Sequence, residues 1–336
     1  YTAFYQNRGF CLAYSTDGLH WTAYPENPVL VGQSSDTYNT LMYDPRREEY
    51  AIFCRPRWSR GGPDPRAVTR IASKDLIHWG PERIVLQTDD RDAPAHGRRR
   101  LRGETGKDAY TRGRELQFYG FTPSLYQDMY IGLAMVYDTF AGISWYELVH
   151  SYDGLQWMRE ANREPFIAGS PGAWDAGCIG YMAMGSPMEI GDHYYFYTQG
   201  SNTLHGYRLI SMEDQGRMAL IMAARIKKGR FIGYATGVHR PFERQRESIE
   251  IPPYWIDRGT LMTRPFRLEC EKIFLNAKVA DGGSITVEVR SGLDAATAST
   301  TFDVMKAYDL EHADPIRNVD AIKIPVTLNR AAVSYT

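Results

Sequence analysis

The sequence predicts an all-β fold: a five-bladed β-propeller over residues 1–252, then a small β-sandwich over residues 253–336. Three observations predict it. A seven-residue pattern, S-x-D-(G/L)-x-x-W, recurs from Ser15 to Trp21, from Ser73 to Trp79 and from Ser151 to Trp157. Each copy follows an apolar or aromatic run of strand length. After Gly259 the texture changes to short segments alternating apolar and polar residues around Gly and Asn turns. Recurrence at one structural phase is the mark of a repeat architecture. Radial repetition of small sheets is a stable way to hide their edges.

The pattern has a local physical reason. Ser and Asp side chains accept hydrogen bonds from backbone amides in a tight turn, Gly supplies a positive φ, and Trp packs back on the sheet. Such a turn closes equivalent hairpin corners. The spacings of 58 residues from Asp17 to Asp75 and 78 from Asp75 to Asp153 suit one four-stranded blade each, the longer with an insertion. Asp17, Asp75 and Asp153 are therefore read as structural, not chemical.

Strands follow from the runs between turns. The first blade holds residues 1–6 and 9–14, with its innermost strand expected upstream of Tyr1. The second holds residues 41–43, 50–54 and 67–72. The third holds 117–126, 129–136 and 145–150, after a polar, Arg-rich stretch from Asp89 to Arg114 that reads as a long functional loop. The fourth holds 186–190 and 193–199, and a shorter fifth holds 218–226 and 231–236. The sandwich is expected from 260–266, 272–277, 284–290 and 321–328.

Composition excludes several classes. The formal net charge of −1 gives no general pull toward nucleic acid or membrane, and neither partner is expected. The basic run from Arg98 to Arg102 lacks interleaved aromatics and reads as a solvated loop. No apolar run reaches the ~18 residues of a spanning helix. Cys11, Cys54, Cys178 and Cys270 form no C-x-x-C pair and have no His at metal-ligand spacing, so buried free thiols are expected and no metal. No dinucleotide or phosphate loop is present, so no organic cofactor is expected; the glycines from Gly169 to Gly172 lack a strand-to-helix context.

Several stretches resemble the five-bladed β-propeller glycoside hydrolases of the fructan- and sucrose-cleaving group, which carry a C-terminal β-sandwich. Ser73-Lys74-Asp75-Leu76-Ile77-His78-Trp79 is similar to that group's blade corner. Trp157-Met158-Arg159-Glu160 with Arg163-Glu164-Pro165-Phe166, the run from Ala224 to Phe231, and Gly259 to Phe266 with Phe274-Leu275-Asn276 resemble later parts of an offshoot of the group. The resemblance implies a funnel at the propeller axis where acids from different blades meet one sugar. It implies hydrolysis of a terminal furanoside, fructosyl or arabinosyl, by paired carboxylates. The expected partner is an oligosaccharide or glycoside, and a periplasmic or secreted location is favoured over a cytoplasmic one.

By the same resemblance, Asp36 matches a second-blade acid, Asp108 opens the third blade, and Asp175 matches a fourth-blade acid near the funnel floor. The group's Glu-Cys acid is not found here; Glu104, Glu115 or Asp108 stands in its place. Trp174 and Tyr110 supply ring faces for sugar C–H surfaces. Arg55 and Arg163 supply planar, charged donors, and His205 lines the funnel or holds an axial ion. Each has a plainer reading: Asp36 and Asp175 could cap turns, Glu104 could be solvated, the arginines could pair with carboxylates between blades, and His205 could be merely hydrogen bonded. Two rivals stay open, and a third is set aside because no arginine triad sits at matching blade positions. A glycoside phosphorylase would hold phosphate with Arg55, Arg57 and His205; a non-catalytic carbohydrate-binding propeller would lack paired acids; a sialidase-like propeller would need an arginine triad.

Overall fold

The computed structural model describes residues 2–6, 9–32, 38–56, 66–92, 116–139, 142–160, 163–170, 174–180, 187–205, 218–231, 233, 235, 237–239, 254–256, 258–263, 272–290 and 309–327. The fold is all-β: among the described residues the elements are strands and one 3-10 turn at Asp90–Asp92. The chain divides into two compact units, one of Tyr1–Arg225 with Phe242–Ile249, the other of Ile226–Pro241 with Glu250–Thr336.

The first unit is a series of antiparallel meanders. The first sheet comprises β1 (Thr2–Gln6), β2 (Gly9–Tyr14), β3 (Thr22–Ala23) and β4 (Leu30–Val31), with β3 and β4 both paired to β2. Between those two short pieces the Asn27 side chain stands in for a strand. It accepts from Leu12 N at 2.7 Å and donates to Leu12 O at 2.8 Å. The second sheet is an unbroken four-stranded meander, β5 (Thr40–Asp44), β6 (Glu49–Cys54), β7 (Val68–Ser73) and β8 (Arg83–Leu86).

The third meander comprises β9 (Leu116–Tyr126), β10 (Met129–Asp138) and β11 (Ile143–Ser151), edged by β12 (Met158–Arg159) and β13 (Pro165–Ile167). The fourth holds β14 (Cys178–Gly180), β15 (Met188–Ile190), β16 (His193–Ser201) and β17 (Ala219–Lys227). β14 and β15 pair with successive parts of β16, and one parallel bridge, Ser144 to Cys178, joins the third meander to the fourth. The sequence assigns residues 218–226 to a fifth blade, but β17 hydrogen-bonds to β16 and extends the fourth sheet. A β-pattern marks a strand without naming its partner, which explains the difference.

Two-residue periodicity splits the second sheet between two neighbours. Ala51 and Phe53 of β6 join Phe118, Phe121, Tyr130, Val136 and Trp157 of the third sheet in one core. The alternate residues, Ile52 and Cys54, pack with Phe10 of the first sheet and with Ile71. Both faces of the sheet are thus buried, the condition of a blade held between blades. Phe53 and Phe121 lie 5.4 Å apart, and Trp157 meets Phe121 edge-on at 4.7 Å. Each fully buried side chain of this size contributes about 1.5–3 kcal/mol. Gly132 is required there, because a Cβ would stand 2.4 Å from the Phe121 ring.

The three corners are superposable in their hydrogen bonds. In each, Ser Oγ accepts from the amides two and three residues on, and Asp Oδ1 accepts from the amides two and three residues beyond itself. The fourth position is left-handed every time: φ is 78° at Gly18, 68° at Leu76 and 71° at Gly154. Asp17 and Asp75 also hold His20 and His78 through Nδ1 at 2.6 Å. The tryptophans differ. Trp21 and Trp79 donate Nε1 to the fourth-position carbonyl at 3.1 Å, whereas Trp157 turns into the core.

Cys11 and Cys54 are buried free thiols and Cys178 is a half-buried one; Cys270 lies outside the described residues. In the second unit, β18 (Gly237–His239) pairs with β19 (Tyr254–Ile256), and β20 (Phe274–Val279) with β21 (Val319–Pro325). Ala277, Val279 and Ile324 form a small core. Residues 284–290 form isolated bridges rather than the expected strand, Ile285 bonding Ile316.

Candidate functional site

Three meanders of the first unit, the third and fourth joined in one nine-stranded sheet, present the same end at one place. The second sheet begins at Thr40 and returns through Cys54 to Arg55, Thr40 being opposite Phe53. The third begins at Leu116, which stands opposite Asp138 at the end of β10. The fourth begins at Cys178, opposite Ser201 at the end of β16. Residues at the starts of first strands and the ends of second strands therefore share one rim. Phe118 N donates to Arg66 O at 3.1 Å and His205 N to Gly142 O at 2.7 Å, tying the second sheet to the third and the third to the fourth.

On this rim lies an aromatic and cationic cluster drawn from all three. Tyr119 projects from β9 and Tyr137 from β10, their rings edge-on at 5.6 Å. His205, just after β16, packs against both, 5.3 Å from Tyr119 and 4.6 Å from Tyr137 between ring centres. Its Nδ1 lies 3.2 Å from Tyr137 Oη and its Nε2 3.2 Å from Tyr119 Oη. The Arg55 guanidinium stands 5.3 Å from the Tyr119 ring centre; Arg66 stands 5.2 Å from Tyr119 and 5.9 Å from Tyr137. Arg66 also donates to Gln117 Oε1 at 2.6 Å. Tyr137, Arg55 and Gln117 are buried, Tyr119 and Arg66 are half-buried, and His205 is exposed.

The cluster grades from a closed floor to an open lip. Ring faces suit sugar C–H surfaces, and phenol, imidazole and guanidinium groups suit hydroxyls. Sequence reasoning names Arg55 and His205, and the fold brings both to one tyrosine. It misses Tyr119, Tyr137 and Arg66. Tyr137 lies one residue from the end of β10, Tyr119 three residues into β9 and Arg66 two residues before β7; an aromatic residue inside a strand gives no signal beyond packing.

Trp174 and Asp175 occupy the loop entering the fourth sheet. Gly177 N donates to Ser201 O at 2.8 Å, and a Cβ on Gly177 would stand 2.3 Å from Thr203 O, so the loop lies directly along the segment leading to His205. The Trp174 ring lies over Gly200, where a Cβ would stand 2.9 Å from it. Asp175 is buried at 8% exposure, and its Oδ1 accepts from Ser170 N at 3.2 Å, closing the loop. Beside it the Cys178 thiol donates to Gly142 O at 3.3 Å. Burial pushes that thiol's pKa up, which keeps it protonated and unreactive.

Arg163 sits elsewhere, in a buried ionic network. It pairs with Asp89 and, at 2.9 Å, with Asp92; Arg159 pairs with Asp92 and Glu147, each at 2.7 Å. The Arg163 bond holds the Asp89 carboxyl below its usual range. Burial alone would lower the Arg163 pKa, but Asp89 and Asp92 hold it raised. Its donors are thus turned to protein carboxylates, the plainer of its two sequence readings. Asp36, Glu104, Asp108 and Tyr110 lie outside the described residues, as do Arg57 and Glu115. Among the described residues, no three His, Cys, Asp or Glu side chains gather as a metal site.

No protein-family model matches the chain, and no curated protein does. Solved structures are similar to it at low identity. One is an N-acetylgalactosamine deacetylase from F. plautii in complex with blood group B trisaccharide, 16% identical with a TM-score of 0.41 over 66% of each chain. Another is a beta-1,2-mannobiose phosphorylase from Listeria innocua, 15% identical with a TM-score of 0.41 over 65% of this chain and 49% of that one. A beta-fructofuranosidase from Bombyx mori is 13% identical with a TM-score of 0.33 over 60% and 39%. This chain spans less than two thirds of the length of each of the three.

Proposed function

We propose that this chain is a glycoside hydrolase that removes a terminal sugar, a furanoside of fructosyl or arabinosyl type, at the shared rim of its sheets. The observation that carries the reading is the convergence of Arg55, Arg66, Tyr119, Tyr137 and His205 from three meanders. A half-buried ring edged by guanidinium and imidazole groups is suited to one carbohydrate ring.

The chemistry needs two carboxylates. One attacks the anomeric carbon or activates water, while the other, protonated, donates to the leaving oxygen. Asp175 is the candidate at the described rim, fixed by its bond to Ser170 N. Asp36 and Asp108 precede the first strands of the second and third sheets in sequence, as Asp175 precedes that of the fourth; they are the proposed partners, with Glu104 the alternative acid. Trp174 supplies a second ring face.

The test is product release from fructosyl and arabinosyl oligosaccharides, with and without inorganic phosphate, by wild type, Asp175→Asn and Asp36→Asn. Both variants are expected to lose turnover with an unchanged circular dichroism spectrum. Wild-type rates in both would discard these carboxylates. Release only with phosphate would make the protein a phosphorylase, and sugar binding without release would make it a non-catalytic binder.

A further inference from the structure

His205 is gripped at both ring nitrogens by phenols, and this constrains where the ring's hydrogen sits. A neutral imidazole has one N–H and one lone pair, so one tyrosine must donate to it and the other must accept. Two arrangements satisfy the distances of 3.2 Å and 3.2 Å. In one, Tyr137 donates to Nδ1 and Nε2–H donates to Tyr119. In the other, Tyr119 donates to Nε2 and Nδ1–H donates to Tyr137.

The surroundings distinguish them. The chain of hydrogen bonds is a dipole whose positive end lies where its hydrogens point. Both guanidiniums stand beside Tyr119, at 5.3 and 5.2 Å from its ring centre, while Arg66 is 5.9 Å from Tyr137. Like charge repels like, so the positive end turns away from Tyr119. We infer that His205 is a positioning residue held as the Nδ1–H tautomer, so that Tyr119 spends its hydrogen on Nε2 and offers its oxygen lone pairs to the ligand. Tyr119 is then an acceptor that selects for a ligand hydroxyl donor at that point. A group lacking that hydrogen leaves the oxygen unmatched, the kind of loss that discriminates between analogues. The buried Tyr137 sets the direction, and the half-buried Tyr119 expresses it at the lip. The ligand contact rests on the carbohydrate reading of this site; the tautomer does not.

Nitrogen-15 NMR of the His205 ring in the intact protein separates the two. At about pH 8.5, well above the ordinary imidazole pKa near 6.5, Nδ1 is expected to be pyrrole-like and Nε2 pyridine-like; the reverse overturns the inference. Tyr137→Phe removes the acceptor and is expected to give a mixture of tautomers, and an unchanged spectrum denies Tyr137 its role. Titration with D-fructose and L-arabinose is expected to move the Nε2 resonance in wild type and not in Tyr119→Phe. A shift that persists in Tyr119→Phe rules out the Tyr119 contact. If neither sugar moves Nε2 in wild type, the carbohydrate reading of this site fails while the tautomer stands on its own result.

Discussion

Asp92→Asn tests the buried ionic network, and its size follows from the structure. The Asp92 side chain is fully buried and the Arg159 and Arg163 side chains are 7% exposed. The carboxylate accepts from Arg159 Nη1 at 3.0 and 2.7 Å, lies 2.9 Å from Arg163 Nη1, and accepts from Asp89 N at 2.9 Å. An amide of the same shape accepts on one atom only and aims an N–H₂ at a guanidinium. Removing one partner of a buried ion pair costs about 3–5 kcal/mol. For a unit of this size about 2–4 °C are lost per kcal/mol, so thermal unfolding is expected to fall by roughly 10 °C. The assay is calorimetry at pH 7 beside Arg91→Gln, an exposed neighbour expected to change little. A loss of under about 1 kcal/mol would mean that the carboxylate is not a partner in a buried ion pair, and would return Arg163 to the ligand-binding candidates.

Gly132→Ala places a methyl 2.4 Å from the Phe121 ring; overpacking of this kind costs about 1–3 kcal/mol, read as a lower urea midpoint. Ser73→Ala removes the acceptor for Asp75 N and Leu76 N and is expected to cost about 1–2 kcal/mol in the same assay. His78 hydrogen-bonds Asp75, which raises the imidazole pKa above 6.5. The stability it contributes is complete below 6.5 and is lost as pH rises through the raised value. The Asp75 carboxyl is held well below its usual range, first by His78 and then by amides. Its contribution is present above the ordinary carboxylate range and is lost as pH falls through the depressed value. His78→Gln, which copies Gln156 of the third corner, is expected to remove the alkaline loss, measured by urea unfolding from about pH 6 to 9. Gly200→Ala is expected to displace the Trp174 ring and change its fluorescence, with little change in the urea midpoint.

Much of the fold is legible in the sequence because its rules are local. The Ser-x-Asp corners recur with the same bonds because those bonds span only a few residues. Strands β2, β6 and β9 to β11 fall close to their predicted limits because alternation and flanking turns both mark them. The short pieces β3 and β4 escape prediction, since two residues carry no period and the Asn27 side chain completes their ladder. The partner of β17 escapes it too, because pairing is decided by the whole sheet. At the rim, Arg55 and His205 are legible as polar residues out of pattern. Tyr119 and Tyr137 are not, since an aromatic residue in a strand is expected for packing alone. Arg163 matches the motif, but its bonds come from Asp89 and Asp92, more than seventy residues away.

If a sugar is processed where Tyr119, Arg55 and His205 meet, loss of the Tyr119 ring must slow its release. The measurement is the rate of sugar release by Tyr119→Ala, alongside Tyr43→Ala, which removes an exposed ring outside the cluster. Tyr43→Ala is expected to match wild type, and Tyr119→Ala to lose about tenfold or more in kcat/KM with its fold intact. Equal rates in Tyr119→Ala and wild type would mean that no sugar is processed at this cluster.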